Sequence, residues 1–575
     1  MSKPFFITTA IDYTNGAPHI GHAYEKVLAD VLARYHRLKG DEVFYLTGVD
    51  QHGQKVQQSA EKAGIEPQAY VDGITAKFVA LWKKLGVEYT GFDKEKPEGW
   101  AATTEAKHKE CVRANLQLLW DDKVPGTDRS RWIYKKTQRG FYSVRQEQFL
   151  TDKERGADGE FGPEWQPVEE REEENFYFRL TAHEDLGFDP KQWLLDLIDA
   201  RSAAGNPIVV PDFRVAELRN AVEKLEGDLC ISRPASRLKW GIPFPESFGA
   251  GFVTYVWFDA LVNYITYAPG HDPLYAERDG GGQTEFAKWW PPVHVIGKDI
   301  LIPAHGVYWL IMLKALGFTD AEMPTLLVHG WWNIAGAKMS KSLGNIVDPD
   351  ALADKYGAEA VRYYLMSDIT TGRDADFSEE RLIQKYNVDL ANSLGNLLNR
   401  TLNMAAKYRE GKLAKLSQEP IIPVGQAPDG LSTLIRAAVN AAADVEESSD
   451  CDAAHQIGFA LERIANNSNS LVEVAAPWTL AKIEKSGGED AQVAKEKLDA
   501  VLYHLAESLR IIAILISPVL PKSAHGIFDQ LNWKMDEQGK ESRFRLGDAV
   551  WGGLPDGHQL GKPTPLFPRI EQEKA

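Results

Sequence analysis

The chain has 575 residues, 44% hydrophobic and 26% charged, enough apolar material for roughly three to four domains. Lys and Arg total 65 against 82 Asp and Glu, a net charge of −17, which argues against broad nonspecific nucleic-acid binding but permits a locally basic surface. No apolar stretch reaches membrane-spanning length, no leader-like segment precedes the first strand, and Cys111, Cys230 and Cys451 are too scattered for a disulfide framework or a zinc knuckle, so a reducing cytoplasm is expected.

Residues 5–11 read as a buried strand, residues 12–18 as a turn around Asn15-Gly16, and a helix starts near His19. Its apolar face, Ile20, Tyr24, Val27, Leu28, Val31, Tyr35 and Leu38, follows the 3.6-residue period. A helix N-terminus offers free N–H groups and the positive end of the dipole, so His19 and His22 are placed to bond phosphate or ribose oxygens. Gly21 between them lets a flat group approach the backbone. Residues 43–49 form a second apolar strand ending at Asp50. Ligands of open α/β sheets sit at the carboxyl ends of strands, so Asp50 is expected to meet a substrate.

The pattern changes over about 115–237, where residues 132–150 look like a hairpin and the acidic stretch 151–175 looks like loop. Alternating strand and helix return at Trp240. The run 255–264 is aromatic and by its pattern alone reads first as core, with a pocket wall as the alternative. Residues 294–297 are a strand that places Gly297 and Asp299 at its end, and 325–330 are another. Lys338-Met339-Ser340-Lys341-Ser342 follows on a Gly-rich loop, where Lys338 and Lys341 are mobile point charges suited to the β- and γ-phosphates of a nucleotide. From about 381 the chain is mainly helical. On the helix over 382–408, Asn392, Asn396, Arg400, Asn403 and Lys407 share one stripe, opposite Leu390, Leu394, Leu397, Leu398 and Ala405. That stripe is either a solvated face or a reader of unstacked base edges. Trp478, after Pro477, is either a half-buried residue at a helix junction or a stacking platform.

Pro18-His19-Ile20-Gly21-His22 and Lys338-Met339-Ser340-Lys341-Ser342 resemble the "HIGH" and "KMSKS" signatures of the class I aminoacyl-tRNA synthetases. The resemblance covers nearly the whole chain, is weakest over about 100–230, and points within that class to the methionyl-tRNA synthetase family. It implies an α/β protein: a Rossmann-type parallel-sheet catalytic domain split by a connective insertion, followed by an α-helical anticodon-binding bundle. The implied boundaries are 1–115 and 238–330 for the catalytic halves, 116–237 for the insertion, 331–380 for a stem-contact module and 381–575 for the bundle. Many relatives carry Cys-X-X-Cys knuckles in the insertion; residues 140–147 stand there without cysteine, so no structural zinc is expected. Packing by Phe141, Tyr142, Phe149, Phe176 and Phe178 would have to hold the hairpin instead.

By resemblance, His19, His22, Lys338 and Lys341 are catalytic, and Gly21, Gly297 and Asp299 complete the ATP site. Ile11, Tyr13, Trp257, Ala260, Leu261, Tyr264, Ile300 and His305 line the methionine pocket, with Asp50 holding the ammonium. Leu261 stands where relatives often have proline. The stretch from Asp299 to His305 is one residue longer than usual, which leaves Ile300 or Leu301 as the pocket wall. Trp309 matches the end of the same stretch. Asn396 and Arg400 match the anticodon-reading pair, and Trp478 the anticodon's aromatic platform. The implied reaction activates L-methionine with ATP and Mg2+ to methionyl-adenylate and pyrophosphate. The methionyl group then passes to the 3′-terminal adenosine of initiator and elongator tRNA(Met), to the 2′-hydroxyl first. No protein metal site and no membrane contact are expected. Residues 565–571 resemble the end of the family core with no dimerisation module beyond, so a monomer is expected. The alternatives are a nucleotidyltransferase without a tRNA substrate, a noncatalytic tRNA-binding protein, and a synthetase for another amino acid; a cysteine enzyme would need a zinc–thiolate site.

Overall fold

The computed structural model describes residues 3–90, 99–143, 148–150, 152–156, 158–271, 284–339, 346–415, 430–535 and 544–571. Strands β1 (Pro4–Thr9), β2 (Glu42–Leu46), β3 (Val209–Val210), β4 (Val293–Gly297) and β5 (Thr325–His329) form one sheet in the order β2-β1-β4-β5-β3, with every pair parallel. Parallel strands need crossovers, and the covering layers bury the sheet on both faces. That is why Phe6, Ile7, Val295, Ile296, Leu326, Leu327 and Val328 are all core residues. Helix α1 (Ile20–Lys39) makes the crossover from β1 to β2. Its whole expected apolar face is buried, and it stops at Gly40, whose φ of 96° suits the left-handed cap. This is the doubly layered parallel-sheet architecture the sequence implied.

Two strands differ from expectation in a way that builds the site. The strand expected over 5–11 ends at Thr9, and Asp12 and Tyr13, expected in a turn, pair in parallel with Val49 and Asp50. The amide and the hydroxyl of Thr14 both donate to the Asp50 carbonyl, at 3.0 and 2.9 Å, and hold that register. The second strand breaks at Thr47, whose hydroxyl meets that of Thr9 at 2.8 Å. Both breaks lie at the same level, so Ile11, Tyr13 and Asp50 emerge together at the carboxyl edge of the sheet.

Within the stretch 116–237, four strands form a separate antiparallel sheet in the order Leu229–Cys230, Val168–Phe178, Ile133–Ser143, Gln148–Leu150, while Val209–Val210 belongs to the main parallel sheet. The expected hairpin is its edge. The acidic stretch expected as loop is irregular up to Pro167, as expected, but its last third is strand: Val168–Phe178 pairs with Ile133–Ser143 along its full length. Glu is a poor strand former, but here it faces cations, with Lys135–Glu174 at 2.6 Å and Arg237–Glu173 at 3.0 Å. Phe176, Phe178 and Tyr142 are buried as expected, and Phe176 packs on Phe244, Phe248 and Phe252 with centroids 5.0–5.4 Å apart. Phe141 is instead exposed and packs on Phe161; the side chain of Phe149 lies outside the described residues.

After β5 a small sheet of Trp332–Ile334, Ala337–Lys338 and Ala375–Asp376 leads to helix α2 (Ala358–Ser367) and the helical region. There α3 (Asn396–Arg409), α4 (Ala453–Ala475), α5 (Pro477–Ser486) and α6 (Ala491–Ile516) pack together, and α6 is buried throughout its C-terminal half. The helix expected over 382–408 is continuous in its path but wound as a π-helix over Tyr386–Gly395, so a projection at 100° per residue holds only from Asn396 onward. Arg362 on α2 ties the regions together. It pairs with Asp30 of α1 at 2.7 Å and donates to the carbonyls of Leu85, Pro518 and Val519.

Candidate active site and a groove on the helical region

A cavity of about 600 Å³ opens at the carboxyl ends of β1 and β4, the position an open parallel sheet favours. Ile11, Tyr13, His19, Gly21, His22, Asp50, Trp257, Ala260, Leu261, Tyr264, Gly297, Asp299, Ile300 and His305 all line it. Residues from five separate stretches of sequence therefore share one space. Met339, which follows Lys338 in the second signature, also lines it. The side chain of Lys338 and all of Lys341 lie outside the described residues.

His19 is the N-cap of α1. Its Nδ1 accepts from the Gly21 amide at 3.1 Å, and His22 Nδ1 accepts from the His19 amide at 3.1 Å. Each neutral ring therefore carries its proton on Nε2, and the rings stack with centroids 3.7 Å apart on the cavity wall. Two N–H donors beside a helix N-terminus suit anionic oxygens. Gly21 has a second reason to be glycine: a Cβ there would come within 2.9 Å of the His19 ring. The space is taken by that ring as well as being open to a ligand.

Asp50 is buried, and among the described residues its donors are the His52 amide at 3.4 Å and the Thr103 hydroxyl at 3.3 Å. Among the described residues no cation pairs with it. Burial first, then the nearby Asp259 anion, hold its carboxyl well above the ordinary range. A buried, cation-poor carboxylate on a cavity wall is a socket for a positive charge.

The other end of the cavity is aromatic and neutral. His305 Nδ1 donates to the Ile300 carbonyl at 2.9 Å, so its Nε2 accepts from the Tyr264 hydroxyl at 2.8 Å. Burial pushes His305 down to about 4 and the Tyr264 phenol well above its usual value, so both are uncharged. Trp309 does not line the cavity; it stands one layer behind, donating to His294 Nε2 at 3.1 Å, while His294 Nδ1 donates to Thr8 at 2.7 Å. Ile300 faces the cavity and Leu301 is buried in the core. The segment Leu301–Trp309 is π-wound, with a break at Ile302.

A second, open groove of about 520 Å³ lies on the helical region, lined by Asn392, Asn396 and Arg400 on one side and Asn466, Asn469 and Glu473 of α4 on the other. Arg400 reaches Glu473 at 2.7 Å across it. Asn403 and Lys407 are exposed beyond the groove, and Leu390, Leu394, Leu397, Leu398 and Ala405 are buried behind it. Trp478 does not line the groove. It stands just past the end of α4, in the first turn of α5, and is 47% exposed.

A family model described as "tRNA synthetases class I (M)" matches residues 5–160 and 164–402. A methionine–tRNA ligase of Thermosynechococcus vestitus is 37% identical over 99% of this chain and 98% of its own length. One of Caldanaerobacter subterraneus is 38% identical over 100% of this chain and 80% of its own. This chain belongs to the methionine–tRNA ligases. It is a class I aminoacyl-tRNA synthetase and, by family, an ATP-dependent ligase. A solved structure of the Mycobacterium tuberculosis methionyl-tRNA synthetase in complex with methionyl-adenylate superposes with a TM-score of 0.81 at 32% identity, covering 99% of this chain and 100% of that one.

Sequence reasoning passed over a buried charged cluster, centred on Lys26, that backs the cavity wall of this ligase. Lys26 is fully buried on α1, with its ammonium bonded to the Ala10 carbonyl at 2.8 Å and to Asp12 and Glu25 at 2.9 Å. Asp12, Glu25 and His329 all line the cavity, and His329 meets Glu25 at 3.2 Å. Burial first, with help from Glu25 and against Lys26, raises Asp12 to about 7. The available signal was Glu25-Lys26 interrupting the buried side of α1, where only structure shows that Asp12 meets them. Asn263, Trp331 and Trp332 on the wall carried no such signal.

Proposed function

We propose that this cavity forms methionyl-adenylate and that the groove reads the anticodon of tRNA(Met). The observation that carries the reading is the single cavity that joins a carboxylate socket, an uncharged aromatic end and two Nε2–H donors at a helix N-terminus. Methionine needs the first two: Asp50 pairs with its ammonium, and its unbranched, polarizable thioether lies against Trp257, Tyr264 and His305. The Tyr264 O–H is committed to His305, so the phenol oxygen faces the side chain without competing for a donor. The methionine carboxylate then attacks the α-phosphorus of ATP, and pyrophosphate leaves. His19 and His22 donate to the oxygens that gain charge, while Gly297 and Asp299 bound the nucleotide. Lys338 and Lys341 close on the β- and γ-phosphates. No protein nucleophile is needed, so catalysis is positioning and electrostatics.

Magnesium accompanies ATP as part of the substrate. Among the described residues no group of three or more His, Cys, Asp or Glu is arranged to hold an ion alone, which fits an ion held largely by phosphate oxygens and water. The 3′-terminal ribose of tRNA(Met) takes the methionyl group, 2′-hydroxyl first. Asn396 and Arg400 offer amide and guanidinium groups to base edges in the groove, and Trp478 offers a free indole face. Stacking of a base on such a face is worth about 1–3 kcal/mol. Trp478→Ala should therefore lower tRNA charging about 5- to 150-fold in kcat/KM while adenylate formation is unchanged. Unchanged charging would remove Trp478 from the site.

The deciding experiment is ATP–pyrophosphate exchange against all twenty amino acids without tRNA. Exchange driven by methionine alone supports the cavity reading. Exchange driven by another amino acid would keep the nucleotide site and overturn the pocket. No exchange from folded, ATP-binding protein would favour a noncatalytic tRNA-binding protein.

A further inference from the structure

Asp259 follows Trp257 on the short helix Val256–Leu261, which supplies Trp257, Ala260 and Leu261 to the cavity wall. Its own side chain points the other way and is completely buried. There its two oxygens are divided. His52 Nδ1 donates to Oδ2 at 2.7 Å, and His108 Nε2 donates to Oδ1 at 2.8 Å. His52 follows the strand that ends in Asp50, and His108 lies on the separate helix Ala106–Asp121. His108 is held in turn by the Thr266 hydroxyl at 3.3 Å and by the parallel ring of Tyr267, centroid to centroid 6.1 Å. One carboxylate thus fastens the pocket helix to the strand end that carries Asp50 and to a third element behind both.

We propose that Asp259 is a positioning residue for amino-acid recognition: its two histidine bonds set the distance between the Trp257 helix and Asp50, and its negative charge reinforces Asp50 as a cation socket. The proposal rests on the reading that Asp50 holds the ammonium of the substrate. It requires Asp259 to be ionised, and it is: burial opposes the charge, but His52 and His108 outweigh burial and hold the carboxyl at about 2. The charge is felt by Asp50, whose proton it helps retain. The groups facing this carboxylate pair are His52, His108, the Thr103 and Thr266 hydroxyls and the Tyr267 ring, with Glu105 bonded to the Tyr267 hydroxyl at 3.2 Å. Lys55 and Asp12 stand further along the cavity wall. These groups are common to the wild type and the variant, so a difference between the two reports Asp259.

The test compares wild type, Asp259→Asn and Asp50→Asn in methionine-dependent pyrophosphate exchange across pH, with thermal unfolding as a check on folding. Asp259→Asn should raise KM for methionine about tenfold with KM for ATP and kcat within about twofold. The acid limb of kcat/KM for methionine should move to lower pH, because Asp50 ionises more easily without a neighbouring anion. Equal losses for methionine and ATP, or an unmoved acid limb, would reduce Asp259 to a purely structural role. If Asp259→Asn does not fold, His108→Gln, which retains an N–H donor, should keep the methionine KM near that of the wild type, while His108→Leu should raise it; identical values would overturn the proposal. Failure of the underlying reading looks different: wild type shows no methionine-driven exchange, or Asp50→Asn retains it.

Discussion

Asp50→Asn should abolish methionine-driven exchange and at the same time make the unliganded protein more stable. An ammonium entering this partly dry cavity meets no other anion placed as Asp50 is, at the end of the strand that pairs with Tyr13. Losing one partner of a desolvated ion pair costs about 3–5 kcal/mol, or about 10²–10⁴-fold in kcat/KM. ATP binding should survive, because His19, His22 and Gly21 lie on another element. The stability gain follows from the raised carboxyl. A group that binds its proton more tightly folded than unfolded stabilises the fold in acid. It loses that contribution as pH rises from the ordinary carboxylate value toward the raised one. At neutral pH the empty site carries this cost, and asparagine removes it while its carbonyl keeps the bonds from His52 and Thr103. Methionine affinity has the opposite dependence in the wild type and falls as pH drops through the raised value. Thermal unfolding with and without methionine checks both: the wild type should gain stability from methionine and the variant should not. A variant that is less stable, or that still exchanges, would contradict the socket.

The signature at the start of α1 and the strand end at Asp50 were legible because each is local. A helix start, a strand end and an apolar period can be read from a few consecutive residues, so His19, His22, Asp50 and the face of α1 stood out. The acidic strand Val168–Phe178 was not legible, because the cations that make Glu172–Glu174 tolerable as strand come from Lys135, Arg139 and Arg237, far away in sequence. The π-winding at Leu301–Trp309 and Tyr386–Gly395 was equally hidden, since it leaves composition and capping unchanged. Lys26 was missed for a related reason: a charge on a helix reads as solvent-facing until its partners, Asp12 and the Ala10 carbonyl, are folded onto it.

Arg362→Met should destabilise the whole protein by about 3–5 kcal/mol, the cost of breaking a buried ion pair with its hydrogen bonds. Arg362 is among the largest fully buried side chains of the protein, and four of its five N–H donors meet Asp30 and three carbonyls. Methionine fills the volume but leaves the Leu85, Pro518 and Val519 carbonyls without this donor. Asp30 keeps Arg34 at 2.8 Å and the Glu88 amide at 2.8 Å, so it is weakened as an anion but not orphaned. Arg362→Lys, a point charge that cannot span the same fork, should fall between the two. The pH dependence has a definite sign. Burial would raise the Asp30 carboxyl, but Arg34 and Arg362 outweigh it and hold it below the ordinary value. A depressed carboxyl stabilises the fold above its unfolded value and loses that contribution as pH falls toward the folded one. The gap between wild type and Arg362→Met should therefore be full at neutral pH and shrink in acid. The functional signature is as specific. Arg362 joins α1, which starts at the cavity with His19 and His22, to the segment after α6 in the helical region. Loosening that joint separates the two sites without touching either, so tRNA charging should fall further than pyrophosphate exchange. Equal losses in the two assays, measured where both variants remain folded, would show that Arg362 supports the fold alone and does not couple the groove to the cavity.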